Sequence, residues 1–171
     1  HNKQVEILSL ERSETQRLPY DKLVLATGSV PVLPPIPGAD LKGVFCLRDL
    51  NDAKNIRERV QKGVKRAVII GGGNTAIDCT RNLLRMGVEE VNLVYRRTRN
   101  EMPANPVEIE AAEEEGVKFT FLAAPVRVVG DENGHTTHLE YLKMELGEPD
   151  ASGRRRPVPI AKCSRLWTGG Q

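Results

Sequence analysis

Apolar runs alternate with segments of helical periodicity through the middle of the chain. Ala67–Ile70 is a short continuous apolar run, which is typical of a strand buried on both faces of a parallel sheet. Asn74–Met86 places apolar residues three and four positions apart and is followed by Gly87, so it predicts an amphipathic helix. Val91–Tyr95 is the next apolar run. A strand, a helix and a strand within about thirty residues predict a parallel pair joined by a right-handed crossover.

The same periodicities predict further elements on either side of this unit. They indicate helices over Leu50–Val60 and Asn105–Gly116, a strand over Val117–Leu122, and a hairpin with arms Val126–Val129 and Leu139–Leu146. The hairpin turn is predicted at Asn133-Gly134, the strongest short turn signal in the chain. The predicted fold class is therefore α/β, a Rossmann-like three-layer domain with a central parallel sheet that an antiparallel β-hairpin extends.

The N-terminal part of the chain has a different pattern. Strands are predicted at Val5–Leu10 and Lys22–Ala26, followed by a proline-rich passage over Pro31–Pro37. Because each proline removes a backbone donor, this passage is neither helix nor central strand and is interpreted as a connector. The predicted organisation is a fragment of one domain plus the connector over 1–48, a nucleotide-binding domain over 49–165, and an unassigned tail over 166–171.

Composition restricts the classes of function. The chain of 171 residues has 25 basic and 23 acidic side chains and a formal net charge of +2, a balance that does not suggest a nucleic-acid or membrane partner, and neither is expected. Cys46, Cys79 and Cys163 lie far apart, so no metal site and no local redox disulfide are predicted. No apolar run approaches the length of a membrane span, and a reducing, cytoplasmic setting is expected.

Three consecutive glycines, Gly71, Gly72 and Gly73, join the first predicted strand of the unit to its helix. Gly71, Gly73 and Ala76 fill the small positions of a G-x-G-x-x-[GA] pattern in the context of a strand, a turn and a helix. In that pattern the glycines permit the tight turn and the approach of backbone to a pyrophosphate, and the third small residue permits close packing. The alternative is that the glycines form only a tight turn.

The start of the helix after these glycines is a predicted anion site. Free backbone N–H groups and a partial positive charge face any anion there, and Asn74 and Thr75 add side-chain donors. Gly71, Gly72, Gly73, Asn74, Thr75 and Ala76 are therefore the candidate pyrophosphate-binding residues.

Two arginines follow the next strand at the position that separates NAD from NADP sites. NAD sites place an acidic residue about twenty residues beyond the glycine pattern, to bind the ribose 2′-hydroxyl. Here Arg96 and Arg97 occupy that position, and planar guanidinium groups suit a 2′-phosphate instead. The pair favours NADPH as the cofactor. The alternative is that both arginines lie on a solvated loop.

A second, smaller motif lies in the N-terminal part. The stretch "YDKLVLATGS" ends an apolar run with Thr27 and Gly28, which brings backbone and a hydroxyl to the carboxyl end of a predicted strand. The residues alone favour a plain strand end over a cofactor contact.

Taken together, "YDKLVLATGSVPVLPPIPG", "VIIGGGNTAIDC" and "VNLVYRRTRNEMPA" resemble the pyridine nucleotide-disulfide oxidoreductase superfamily of flavoproteins with two dinucleotide-binding domains. The stretch from Ala67 to about Pro157 is most similar to the NADPH-binding domain of the glutamate synthase small subunit and its relatives. The resemblance implies that an NADPH domain interrupts an FAD domain and that hydride passes from NADPH to FAD.

The resemblance also implies roles for single residues and for partners. It assigns the glycine turn to the pyrophosphate, Arg96 and Arg97 to the 2′-phosphate, and Thr27 and Gly28 to the neighbourhood of FAD in the intact protein. The implied partners are the remaining FAD domain and an iron–sulfur or glutamate synthase large-subunit-like protein. No catalytic residue is assigned, and the chain lacks the family's N-terminal G-x-G-x-x-G for FAD. The isolated chain is therefore expected to bind NADPH without turnover.

Two alternatives remain open at the level of sequence. The front part of the chain is closer to NADH oxidase and coenzyme A disulfide reductase relatives, a reading that predicts a preference for NADH. The second alternative is a regulatory nucleotide-sensing module with no chemistry of its own.

Overall fold

A computed structural model describes residues 3–28, 30, 33–151 and 153–168 of the chain, and side chains up to residue 160. The chain divides into two compact units, His1–Val30 and Pro31–Gln171. The division falls next to the proline-rich passage. The cofactor domains predicted over 1–48 and 49–165 stay predictions, and the end of the predicted tail, 169–171, lies outside the described residues.

The first unit contains a two-stranded antiparallel hairpin. Strand β1 (Gln4–Ser9) pairs with β2 (Glu14–Pro19), and β1 confirms the strand predicted at Val5–Leu10. The side chains of β2 are exposed along the whole strand. This explains why no alternation of apolar and polar residues marks β2 in the sequence.

The strand predicted over Lys22–Ala26 is wrong. The segment has no regular structure, and no strand among the described residues pairs with it. Val24 and Leu25 are 85% and 79% exposed. An apolar run forms a strand only where a neighbouring strand takes up its backbone hydrogen bonds, and none does so here.

The second unit alternates strands and helices and then continues as antiparallel strands. Its elements are α1 (Leu50–Gln61), β3 (Arg66–Ile70), α2 (Asn74–Arg85), β4 (Glu90–Tyr95), a 3₁₀ turn (Arg99–Glu101), α3 (Pro106–Glu114), β5 (Lys118–Phe121), β6 (Ala123–Gly130), β7 (Thr136–Pro149) and β8 (Arg155–Thr168). Among the described residues, no helix is long and apolar enough to cross a membrane.

The parallel sheet has the order β3-β4-β5. Its central strand β4 is covered on both faces, because successive side chains of a strand point to opposite sides. Val91 and Leu93 pack against the helices on one face, and Val94 packs against β6 and β7 on the other. The predicted three-layer α/β domain with a parallel sheet is confirmed.

The helical layer consists of α1, α2 and α3. Ile56 of α1 and Leu83 of α2 share one apolar cluster, and Ile77 of α2 and Ile109 of α3 share the next. Gly87 and Gly116 follow α2 and α3 with positive φ, the left-handed conformation that commonly ends a helix. The predicted ends of both helices are confirmed.

The antiparallel strands form a sheet of their own, with the order β6-β7-β8. The predicted hairpin corresponds to β6 and β7, and it lies across one face of the parallel sheet rather than extending its edge by hydrogen bonds. The chain passes between the two sheets at Leu122, which has φ +52. The Leu122 N–H donates to the Arg97 carbonyl at 3.1 Å, and its own carbonyl accepts from the Met144 N–H at 2.7 Å.

The end of the predicted connector and the residues that follow it, 37–42, pack along this antiparallel sheet. The Val128 N–H donates to the Pro37 carbonyl at 2.8 Å, and the Thr136 N–H donates to the Lys42 carbonyl at 3.0 Å. The second half of the predicted connector is therefore part of the same compact unit as the parallel sheet.

Candidate functional site

The glycine turn lies at the carboxyl end of β3 and leads directly into α2. Gly71 is held to the neighbouring strand, because its N–H donates to the Val94 carbonyl at 3.2 Å. A Cβ added to Gly71 would lie 3.0 Å from the Cβ of Ala76. The first and third small positions of the pattern therefore face each other, and their size sets how closely β3 and α2 approach.

The middle glycine has a different role. A Cβ on Gly72 would lie 2.6 Å from Cδ2 and 2.9 Å from Cζ of Tyr95, the last residue of β4. The hydroxyl of Tyr95 donates to the Glu101 carbonyl at 2.8 Å. The Tyr95 ring therefore leaves no room for a side chain at position 72. Gly72 supports the site by allowing this close packing.

The third glycine faces open space. Gly73 is the N-cap of α2, with φ −93 and ψ 175, and no described atom lies within 4 Å of the position of a Cβ. No side chain caps the helix, and its first turn carries no acidic residue. The Ala76 N–H donates to the Gly73 carbonyl at 3.0 Å. Because the first N–H groups of a helix have no partner within it, the amides of Asn74 and Thr75 are available to an anion.

The loop after β4 packs on the glycine turn. The Ala104 N–H donates to the Gly72 carbonyl at 3.1 Å, and the Asn105 N–H donates to Oδ1 of Asn74 at 2.8 Å. The oxygen of the predicted ligand Asn74 is therefore used to hold this loop, which leaves its amide nitrogen as a donor. Thr75 is exposed in the first turn of α2.

A cleft of about 330 Å³ opens at the carboxyl ends of β3 and β4. Its walls are formed by Pro34, Ile70, Gly71, Val94, Tyr95, Arg96, Ala124 and Pro125. Arg96 is exposed, and it is the charged residue among them. Ligands of open α/β sheets bind outside the carboxyl ends of the strands, so this is the position expected of a nucleotide cleft.

Arg97 differs sharply from its neighbour. It is 5% exposed; its Nε donates to the Arg155 carbonyl at 2.7 Å, and Nη2 donates to Oδ2 of Asp150 at 2.8 Å. Its guanidinium joins the end of β4 to the turn between β7 and β8. The structure brings Arg96 to the cleft and holds Arg97 within the protein.

Ion pairs fix α2 against α3 behind the site. Arg81 pairs with Glu108 and Glu115, and Arg85 pairs with the same Glu115. Hydrogen bonds from Arg81 and then from Arg85 lower the pKa of the Glu115 carboxyl to about 2. The network is partly exposed to solvent, so its contribution to the stability of the fold is modest.

Thr27 and Gly28 belong to the first unit and are described within it. Thr27 is exposed, and Gly28 has φ +73 with no described atom within 4 Å of an added Cβ. The positive φ explains a glycine at this position, and the space around it leaves the backbone accessible.

Sequence reasoning missed three features of the site: the contact of Tyr95 with Gly72, the loop packed on the glycine turn, and the pairing of Arg97 with Asp150. The first had a signal in the sequence, because a third glycine exceeds what the nucleotide pattern requires. The other two depend on partners in distant elements, and local periodicity carries no information about them.

The family described as pyridine nucleotide-disulphide oxidoreductase matches residues 1–151. The beta subunit of the NADPH-Fe(3+) oxidoreductase of Geobacter sulfurreducens is 58% identical over 96 residues, which are 56% of this chain and 14% of that protein.

Two further relatives have related names. The beta subunit of the NADP(+)-dependent formate dehydrogenase of Moorella thermoacetica is 46% identical over 123 residues, covering 72% of this chain and 17% of that protein. The NADPH glutamate synthase small chain of Escherichia coli is 42% identical over 102 residues, covering 60% of this chain and 22% of that protein. The chain therefore spans less than a quarter of the length of each of these relatives.

Solved structures share the fold. An NAD-dependent persulfide reductase from A. fulgidus has a TM-score of 0.61 at 23% identity, covering 93% of this chain and 28% of that one. A ferredoxin reductase from Rhodopseudomonas palustris has a TM-score of 0.62 at 20% identity, covering 85% of this chain and 34% of that one.

Proposed function

Because the chain belongs to the pyridine nucleotide-disulphide oxidoreductase family, we propose that its second unit binds NADPH and presents the nicotinamide to an FAD held by the larger flavoprotein. The observation that carries the proposal is the exposed Arg96 in a cleft that it shares with Gly71. A cation at this strand end suits a 2′-phosphate, and an NAD site would carry an acid there.

The pyrophosphate is proposed to bind at the start of α2. Three observations support this position: no side chain caps the N-terminus of α2, its first turn carries no acidic residue, and no described atom lies near a Cβ at Gly73. The backbone N–H groups of Asn74 and Thr75 and the amide nitrogen of Asn74 supply the donors. The helix dipole adds a favourable partial charge, so no cationic side chain is required for this part of the ligand.

The 2′-phosphate is proposed to bind Arg96 alone of the arginine pair. A phosphate at the exposed Arg96 draws on a guanidinium that lines the cleft, whereas the guanidinium of Arg97 is already bonded to Asp150 and to a carbonyl. Arg97 is thereby revised from a ligand to a residue that acts within the protein.

FAD is proposed to lie near Thr27 and Gly28 in the intact protein. The accessible backbone at Gly28 fits the close approach of a cofactor. FAD accepts the hydride from NADPH when it is bound, and this chain supplies the binding and orientation of the nucleotide. The domain limits predicted over 1–48 and 49–165 belong to this proposal.

Partner subunits are also proposed. The Geobacter and Moorella relatives are named as subunits, and the Escherichia coli relative is named as the small chain of an enzyme. We propose that electrons leave the flavin for a partner that carries iron–sulfur centres or resembles the glutamate synthase large subunit. The final acceptor belongs to that partner.

Competition with nucleotide fragments tests the proposed function. Adenosine 2′,5′-bisphosphate carries the 2′-phosphate without the nicotinamide, and it is expected to displace NADPH from the protein. Adenosine 5′-monophosphate lacks that phosphate and is expected to displace NADPH only at much higher concentration. Equal competition by the two fragments would contradict a 2′-phosphate site.

A further inference from the structure

The buried Arg97 and the half-buried Asp150 form a charge pair beside the proposed nucleotide cleft. The side chain of Arg97 is 7% exposed and that of Asp150 is 23% exposed, and Nη2 lies 2.8 Å from Oδ2. Burial makes an uncompensated guanidinium costly, so this cation needs its anion. The second bond, from Nε to the Arg155 carbonyl at 2.7 Å, fixes the plane of the group.

Asp150 serves two structures at once. Its Oδ1 accepts from the Arg154 N–H at 3.2 Å, and its own N–H donates to the Arg154 carbonyl at 2.7 Å. These bonds shape the turn between β7 and β8, while Oδ2 holds Arg97. The turn is therefore tied to the end of β4, 53 residues earlier in the chain.

The backbone of Arg97 is held as well. Its carbonyl accepts from the Leu122 N–H at 3.1 Å, at the point where the chain leaves β5 for β6. With its side chain and its carbonyl both bonded, Arg97 gives the adjacent residue a fixed backbone. The adjacent residue is Arg96, whose side chain lines the cleft.

We infer that the Arg97–Asp150 pair is a positioning device that sets the preference for a 2′-phosphate by holding Arg96 in place. The inference rests on the proposed function and deepens it. It assigns Asp150, in the turn between β7 and β8, an effect on cofactor selectivity. Neither partner touches the nucleotide. A small displacement of a phosphate-binding group is enough to lower affinity strongly.

A direct phosphate contact by Arg97 is the competing explanation. For that contact the guanidinium would have to leave two hydrogen bonds, and the half-buried Asp150 would lose its cation. Under that explanation, neutralising Asp150 releases Arg97 toward the phosphate and NADPH binds as well as before or more tightly. Under positioning, the same change weakens the binding of NADPH.

The experiment is a double-mutant cycle on the protein, with dissociation constants for NADPH and NADH. Asp150→Asn keeps an acceptor for the Arg154 N–H and removes the charge opposite Arg97. It is expected to raise the Kd for NADPH about tenfold and to leave the Kd for NADH within about twofold. In an Arg96→Gln background, Asp150→Asn is expected to have no further effect, because the group it positions is gone.

Two other variants complete the set. Arg97→Lys keeps the charge but cannot make both bonds of the guanidinium, and it is expected to repeat the NADPH-selective loss in smaller measure. Asp40→Asn, at an exposed aspartate, is the matched control and is expected to change neither affinity. Near-ultraviolet circular dichroism and melting temperatures verify that each variant is folded.

The outcomes distinguish failure of the positioning inference from failure of the proposed function. If Arg96→Gln lowers NADPH affinity while Asp150→Asn and Arg97→Lys do not, the positioning inference fails and the proposed function stands. The inference also fails if Asp150→Asn weakens NADPH and NADH equally, or weakens NADPH as strongly without Arg96 as with it. If the wild-type protein binds the two nucleotides equally, both fail together.

Discussion

The ring of Tyr95 occupies the space that a side chain on Gly72 would need. A Cβ at Gly72 would lie 2.6 Å from Cδ2 of the ring, closer than packed atoms approach. The same tyrosine holds the loop after β4 through its hydroxyl and the Glu101 carbonyl. The end of β4, the glycine turn and that loop therefore form one packed unit beside the cleft.

Gly72→Ala is expected to destabilise the protein. The methyl group forces the Tyr95 ring to move and strains its bond to the Glu101 carbonyl, at a cost of about 1–3 kcal/mol. The measurement is the free energy of unfolding in urea. A variant as stable as the wild type would show that the ring is not confined by Gly72.

Gly73→Ala is the matched change at the neighbouring glycine. It is expected to lower NADPH affinity and to leave stability nearly unchanged. Its φ of −93 is open to alanine and no described atom lies near the added Cβ, so the stability is expected to change by less than about 0.5 kcal/mol. The second small residue of the glycine pattern permits the approach of a pyrophosphate, so the added methyl group is expected to hinder that approach. NADPH affinity is expected to fall, as isothermal titration calorimetry would detect. Undiminished affinity would place the pyrophosphate elsewhere.

The pH dependence of stability is expected to include a contribution from Glu115. Its pKa is lowered from an ordinary 4.5 to about 2 by Arg81 and Arg85. A folded-state pKa below the unfolded value means that stabilisation is complete above about pH 5 and is lost as the pH falls toward 2. Glu115→Gln removes this contribution.

Urea unfolding midpoints between pH 2.5 and 7 provide the measurement for Glu115. The wild-type midpoint is expected to fall more steeply on acidification than that of Glu115→Gln. Glu114→Gln, at the exposed neighbouring residue, is the control and is expected to retain the wild-type slope. If the midpoints of the wild type and of Glu115→Gln fall equally on acidification, Glu115 does not contribute to the pH dependence of stability.

The isolated chain is expected to bind NADPH without reducing an artificial electron acceptor. Hydride transfer requires a positioned flavin, and the proposed function places that FAD in the larger flavoprotein. The measurement combines an absorption spectrum of the purified chain with an NADPH-dependent dye-reduction assay. A yellow protein with dye reduction would contradict this expectation.

Local patterns in the sequence predicted the central part of the fold well. The unit of β3, α2 and β4 follows from apolar runs and helical spacing within about thirty residues, and Gly87 and Gly116 end their helices as predicted. These features depend on neighbours in the chain. Periodicity therefore contains the information that specifies them.

Elements that depend on distant partners were not predictable in the same way. β8 contains Pro157 and Pro159, which argue against a central strand, and it pairs in the described residues with β7 alone. The segment Lys22–Ala26 has the composition of a strand but finds no partner among the described residues. In both cases pairing decided the structure.

The arginine pair shows the same limit at the site. Two adjacent arginines at a strand end are equivalent in the sequence, and both suit a phosphate. What separates them is Asp150, which lies 53 residues beyond Arg97 in the chain and next to it in the fold. The position of the site was predictable from sequence, whereas the division of roles within it required the structure.

The affinity of the protein for NADPH and for NADH, before and after Arg96→Gln, shows whether Arg96 binds a 2′-phosphate. The variant is expected to lose about 1.5 to 3 kcal/mol of NADPH affinity, or roughly 10- to 150-fold in Kd, and almost nothing for NADH. Arg156→Gln, an exposed arginine of β8, is the control and is expected to change neither. Equal losses for the two nucleotides, or none for either, would contradict an NADPH site at Arg96.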